Sequence, residues 1–287
     1  MWTSASARPI CRTMTAFLKM HGLGNDFIVL DGRARAPKLT PDVARKLADR
    51  HTGIGCDQLI VIEPPRSADG DAFMRILNAD GGEVEACGNA VRCIGAIVMD
   101  ERGRDAARIE TLAGPVAISA GPDGITADMG PARHLWNEIP LVREMDTLSL
   151  PIEDGPLHHP VAVGMGNPHA VFFVDDVERI ALAEIGPRIE HHPFYPKRTN
   201  VEIVELRGPK HLRVRVWERG AGITQACGTG ACAALVGAHR RGLIGRAADI
   251  ELDGGTLAVE WRADNHVLMT GPTAIAFTGD IDLEAYA

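Results

Sequence analysis

The sequence predicts an α/β fold of the α+β kind: two pseudo-symmetric domains, each a curved mixed or antiparallel sheet wrapped around a central helix, with an active-site cleft between them. Three observations predict it. First, the chain repeats itself. "GNDFIVLD" at 24–31 is answered by "GNPHAVFFVDD" at 166–176, "EACGNA" at 85–90 by "QACGTG" at 225–230, and the Gly-Pro pair at 130 by that at 271, at offsets of 142, 140 and 141 residues. Offsets this constant mark a duplication. Second, each copy carries short Val- and Ile-rich runs of strand type, such as "QLIVIE" and "NVEIVEL". Third, each Ala-Cys-Gly step opens a stretch that is apolar nearly all round, the pattern of a buried helix.

The elements follow in chain order. The first thirteen residues, "MWTSASARPICRT", carry two arginines and no apolar core of signal-peptide length, and read as a disordered extension. The first domain is expected over 14–131, the second over 132–275, with a last strand at about 276–287 packing back on the first. Each domain opens on an alternating strand. "TPDVARKLADR" is a helix with Thr40 as N-cap and Pro41 at its first position. "FMRILNADG" and "LRVRVWERG" are corresponding strands, and in the second the alternating Arg213 and Arg215 read as the wet face. The central helices carry Val91, Ile94, Ile97 and Val98 in one domain and Ala233, Leu235 and Val236 in the other. They end at "ERG", 101–103, and "HRRG", 239–242, a basic last turn followed by a glycine stop.

Bulk properties narrow the function classes. At 287 residues, with 45% hydrophobic and 24% charged residues, the chain can bury two cores. A net charge of -8 without a basic block argues against a nucleic-acid partner, whose phosphates demand a cationic face. The longest apolar stretches are far short of the roughly 20 residues that cross a bilayer, so no membrane partner is expected. Six cysteines at this length point to thiols in a reducing compartment, hence the cytoplasm. A small-molecule partner and, from the prevalence of twofold symmetry, a homodimer are expected.

The repeated cysteine carries the chemistry. A helix N-terminus has unpaired N–H groups and a partial positive charge, which favour an anion and acidify a thiol. Gly88-Asn89 and Gly228-Thr229 then form carboxylate cradles, since the glycines let the backbone approach a ligand. If the halves face each other, Cys87 and Cys227 flank one carbon atom, one able to remove a proton and the other to return one on the opposite face. No cofactor is needed for this and no metal is expected. Cysteines 11, 56, 93 and 232 read as buried fillers. A zinc site of Cys87, Cys93, Cys227 and Cys232 fits poorly, because the helical spacings are wrong for structural zinc. "GLGND" at 22–26 lacks the third glycine of a dinucleotide loop. His158-His159 and His191-His192 read as solvated loop histidines, whereas His169 sits at the start of the duplicated "GN" loop.

With these residues in hand, the sequence resembles the diaminopimelate epimerases, from about Lys19 to the C-terminus. The resemblance rests on "HGLGNDFIVLD", "LNADGGEVEACGNAVRC", "GNPHAVFFVDD" and "VWERGAGITQACGTGACAA". It implies a cofactor-independent epimerase of LL- and meso-diaminopimelate, on the route to lysine and peptidoglycan, with Cys87 and Cys227 as paired acid and base. It further implies that Asn25, Gln58, Asn78, Asn167, Asn200, Glu218 and Arg219 bind substrate, with Gly88, Asn89, Gly228 and Thr229 at the reacting carboxylate. His169 and Glu218 are implied to tune the cysteines. The sequence departs from the family at Ala90, often glycine there, and at Cys56, which leaves open a third thiol near the cleft. Two alternatives are a proline or hydroxyproline racemase on the same scaffold and a redox-responsive binding protein in which the two cysteines form a reversible disulfide.

Overall fold

The structure, a computed structural model, describes residues 14–287, and the extension expected over 1–13 lies outside the described residues. β1 (Met14–Gly22) and β2 (Asn25–Asp31) form an antiparallel hairpin, and α1 (Pro41–Ala48) leads to β3 (Gln58–Glu63), which lies parallel to β2. β4 (Ala72–Asn78) returns antiparallel to β3, and the short β5 (Glu83–Val84) delivers the chain to α2 (Gly88–Arg102). β6 (Ala106–Thr111), parallel to β4, then opens a meander with β7 (Gly114–Gly121) and β8 (Gly124–Pro131).

After 132–160, which carry the small hairpin of β9 (Glu153–Asp154) and β10 (Leu157–His158), the same order returns. β11 (Val161–Gly164) pairs antiparallel with β12 (Pro168–Phe173), and α3 (Leu182–Glu190) leads to β13 (Asn200–Gly208), parallel to β12. β14 (His211–Glu218), β15 (Gly222–Ile223) and α4 (Gly228–Arg240) follow, then β16 (Ala247–Leu252) parallel to β14, β17 (Gly255–Trp261) and β18 (His266–Gly271). β19 (Ala274–Asp282) pairs antiparallel with β1. The duplication read from sequence is thus a duplication of pairing. Phe27 faces Gln58 in the first parallel pair, and His169 faces Asn200 in the second.

The α/β expectation is borne out: a large mixed sheet with few helices. The two curved sheets are continuous, because β8 and β18 pair antiparallel and the Thr126 and Thr270 hydroxyls meet at 2.7 Å across that seam. Each central helix is enclosed by its own strands. Around α2 pack Phe27, Ile60, Ile76, Ile109 and Ile118 against Val91, Ile94 and Val98. Around α4 pack Val163, Val171, Val204, Val214 and Leu257 against Leu235 and Val236. At roughly 1.5–3 kcal/mol for each large apolar side chain removed from water, this burial is what fixes the two helix axes and hence the two cysteines at their ends.

Local signals act as their chemistry requires. Thr40 Oγ1 accepts from the Val43 N–H at 3.3 Å with Pro41 in the first turn, and Gly103 ends α2 in the left-handed region at φ 59°. One local reading is corrected. Arg213 does not face water: it is 8% exposed and pairs with Glu178 and Asp253, while Arg215 donates to the Val177 and Ile180 carbonyls. The turn Val177–Arg179 folds over that face of β14, so the alternation marks an ion-paired layer and not a solvent surface.

Candidate active site

Cys87 and Cys227 occupy the same structural position, each the N-cap of a buried central helix and each in extended backbone, with φ -146° and -111°. Cys227 Sγ accepts the Gly230 N–H at 3.4 Å, so that thiol caps its own helix. Cys87 makes no such cap and lies 3.7 Å from Asn25 Oδ1. Cys87 is half-buried and Cys227 is 4% exposed.

The two helix N-termini meet. Asn89 donates from Nδ2 both to Asn25 Oδ1 at 3.2 Å and to the carbonyl of Ala226, the residue before Cys227, at 3.0 Å. The Met269 side chain lies between the glycines: a Cβ on Gly88 would come 3.0 Å from its Cε, and one on Gly228 2.9 Å from its sulfur. Asn25 is itself held from below, donating to Asp57 Oδ2 at 2.9 Å. Asp57 also accepts the Asp26 N–H and pairs with Arg50.

A second chain of bonds reaches Cys227 from β12 and β13. Its Sγ lies 3.5 Å from Thr229 Oγ1. That hydroxyl accepts from Asn167 Nδ2 at 3.3 Å, and Asn167 Oδ1 faces His169 Nε2 at 2.8 Å. The other ring nitrogen of His169, Nδ1, sits 2.6 Å from Glu202 Oε1, with both side chains fully buried. On the other side, Glu218 accepts a hydrogen bond from the Thr224 hydroxyl, and the Cys227 thiol bears on its carboxylate. Asn200 accepts the Arg219 N–H at 2.8 Å and donates to the Pro168 carbonyl, while the Arg219 guanidinium donates to the Lys197 carbonyl. Gln58 and Asn78 face each other across β3 and β4 and join through Nε2 and Oδ1 at 2.9 Å. Gln58 Oε1 is buried without a partner.

The electrostatics reverse one expectation. A helix N-terminus alone acidifies a thiol, but here burial outweighs it. Desolvation pushes Cys87 up to about 11, with Glu218 adding to the rise and the Ala90 and Asn89 N–H groups opposing it. Cys227 is raised further, by burial first and then by Glu218 and Glu202, against the Thr229 hydroxyl and Gly230 N–H. Burial also raises Glu202, opposed by His169, and raises Glu218, opposed by Thr224 and the Cys227 thiol. Cys56 is no third thiol at the site: it is 2% exposed in the cluster of Phe17, Ile28 and Leu59, and burial pushes it up to about 12. Cys93 and Cys232 fill the cores around α2 and α4. Among the described residues no three His, Cys, Asp or Glu side chains are grouped to hold a metal ion.

Sequence reasoning missed Glu202, Asp57, Thr224 and Arg92. Two of these left a signal: Glu202 interrupts the apolar run "VEIV", and Arg92 interrupts the apolar helix "AVRCIGAIV". Asp57 and Thr224 sit in polar loops and left none.

The sequence profile described as diaminopimelate epimerase matches residues 17–135 and 161–276. A diaminopimelate epimerase of Rhodospirillum centenum is 58% identical over 266 residues, 92% of this chain and 91% of the relative. One of Acidiphilium cryptum is 53% identical over 280 residues, 97% and 98% of the two chains. Among solved structures, a hydroxyproline epimerase from Agrobacterium vitis with bound trans-4-hydroxy-L-proline shares the fold at a TM-score of 0.67. It is 16% identical to this chain, over 93% of this chain and 92% of its own.

Proposed function

The chain belongs to the diaminopimelate epimerase family, and from that membership we propose that it interconverts LL- and meso-diaminopimelate by a cofactor-independent, two-cysteine acid/base reaction. The single observation that carries the mechanism is the Asn89 bridge, which joins the N-terminus of α2 to the residue before Cys227 and so brings two N-cap thiols to one junction. The thiolate of one cysteine takes the α-proton and becomes a thiol. The electron pair left on carbon delocalises into the substrate carboxylate, and the other cysteine gives its proton to the opposite face and becomes the thiolate. The N–H groups at Gly88-Asn89 and Gly228-Thr229 face the carboxylate as that charge grows, which is where helix N-termini lower a barrier. Raised thiols suit this reading: burial and the nearby carboxylates favour the protonated form, so one cysteine is held as the acid while its partner serves as the base.

The rest of the substrate falls to the polar residues around the junction. Gln58 Oε1, buried and unpartnered, fits an ammonium donor. Asn25, Asn78, Asn167, Asn200, Glu218 and Arg219 complete a set suited to a second ammonium and a second carboxylate. Glu218 directly, and His169 through Asn167 and Thr229, bias the proton of Cys227. The product would feed lysine and peptidoglycan synthesis in the cytoplasm, where the five described cysteines, all free, stay thiols. Division near 131–132, with β19 returned to the first half, and assembly as a homodimer belong to the same reading. The exposed Ile275 and Phe277 of β19 support the latter.

In heavy water the chain is expected to place deuterium on the α-carbon of diaminopimelate and not of proline or hydroxyproline. Exchange on proline alone would instead make it a racemase of the related type, and no exchange on either would favour a binding protein. Cys87→Ala and Cys227→Ala should each lower epimerisation by at least about a thousandfold, the order of effect for loss of a general acid or base. Full turnover by either variant would rule the mechanism out.

A further inference from the structure

Arg92 is fully buried, one turn into α2, behind the junction of the two helix ends. Its Nη2 donates to Asn89 Oδ1 at 3.0 Å, Nη1 reaches the Gly88 carbonyl and the Met269 sulfur, each at 3.5 Å, and Nε has no partner. The titratable groups whose charge bears on it are Cys93 and Cys87 on its own helix and Cys232 on α4, and no carboxylate is among them. β1 and β18 meet it with the neutral Gly22, Met269 and Gly271. A guanidinium keeps its proton in proteins, and an isolated buried ion costs several kcal/mol that a methionine of similar size would not.

The duplication shows that this cost is peculiar to one half. At the offset of 140 residues relating Cys87 to Cys227, the counterpart of Arg92 is the neutral Cys232. Conversely, the buried Glu202 and the half-buried Glu218 lie in the second half and bear on Cys227, and their counterparts in the first half are Ile60 and Asn78. One cysteine therefore has an uncompensated cation behind it and the other has two acids around it. Glu218 also bears on Cys87, so the bias is a difference between the sites and not an absence of acids from one.

We propose that Arg92 is a positioning residue: it locks Asn89 across the junction and makes Cys87, not Cys227, the first of the two cysteines to take a negative charge as pH rises in the substrate-free protein. This rests on the two-cysteine reading of the site, but its test needs no substrate. The pH dependence of iodoacetamide alkylation is followed separately at Cys87 and Cys227 by peptide mass mapping of the full chain. Cys87 should reach its half-maximal rate at lower pH than Cys227. In Arg92→Met, shown folded by circular dichroism, the Cys87 half-point should rise by about one unit or more, whereas Arg92→Lys, which keeps the charge, should restore it. A folded Arg92→Met with an unmoved Cys87 profile would overturn the proposal. So would Cys227 titrating with or before Cys87 in the unsubstituted chain, a comparison that stands even where the variant does not fold. A chain that fails to exchange deuterium into diaminopimelate would refute the proposed function and leave this outcome readable.

Discussion

At the scale of single residues, the site runs on groups that folding makes harder to ionise. Glu218 shows the consequence for stability. Its carboxyl is raised by burial, so the folded state holds that proton more tightly than the unfolded chain, whose glutamate ionises near 4.5. The resulting stabilisation is complete below that value and is lost as pH rises through the raised folded value. Glu218→Gln mimics the protonated form at every pH. Its melting temperature relative to the parent should therefore climb from pH 4.5 to pH 8, by roughly 2–4 °C per kcal/mol relieved, while epimerisation falls. A melting difference that does not change with pH would contradict the assignment. His169 and Glu202 carry a related lesson about reading sequence. His169 was legible because it follows the repeated Gly-Asn. Glu202 was not, because a lone acid in an apolar strand has many structural explanations, and only the parallel pairing of β12 with β13 brings it to the histidine.

At the scale of elements, the turn that leads into Asn25 at the start of β2 is supported by the other half of the molecule. Gly254, in the turn between β16 and β17, donates to the Gln225 carbonyl, and a Cβ there would collide with the Leu23 carbonyl oxygen, a backbone atom that cannot swing aside. Gly254→Ala should thus cost about 1–3 kcal/mol in urea unfolding and reduce turnover by displacing Asn25 from Cys87. The same substitution at Gly88 meets the mobile tips of Met129 and Met269 and should be milder in stability. Caps, buried helices and the repeated succession of elements were readable, because each depends on local chemistry or on the repeat. The wet-face assignment of Arg213 and Arg215 failed for a complementary reason. Alternation says which side chains share a face but not what later covers it, and here the turn carrying Glu178 does. The acidified cysteines failed likewise, since a helix terminus is visible in sequence and the depth of its burial is not.

At the scale of the whole molecule, the pairing of β8 with β18 and of β1 with β19 ties the halves into one sheet, so the junction of α2 and α4 is set by the full fold. Ile275 and Phe277, 55% and 49% exposed, lie on β19, and the double variant Ile275→Lys, Phe277→Lys should shift a homodimer to monomer in sedimentation equilibrium. An unchanged mass would place any dimer contact elsewhere. Two thiols acting from opposite sides of one stereocentre leave an isotopic signature that a single base does not. Starting from LL-diaminopimelate in heavy water and stopping at low conversion, the account predicts that the meso product carries one solvent deuterium at the inverted carbon and the recovered substrate carries none. Equal deuterium in recovered substrate and product, or product that keeps its original proton, would contradict it.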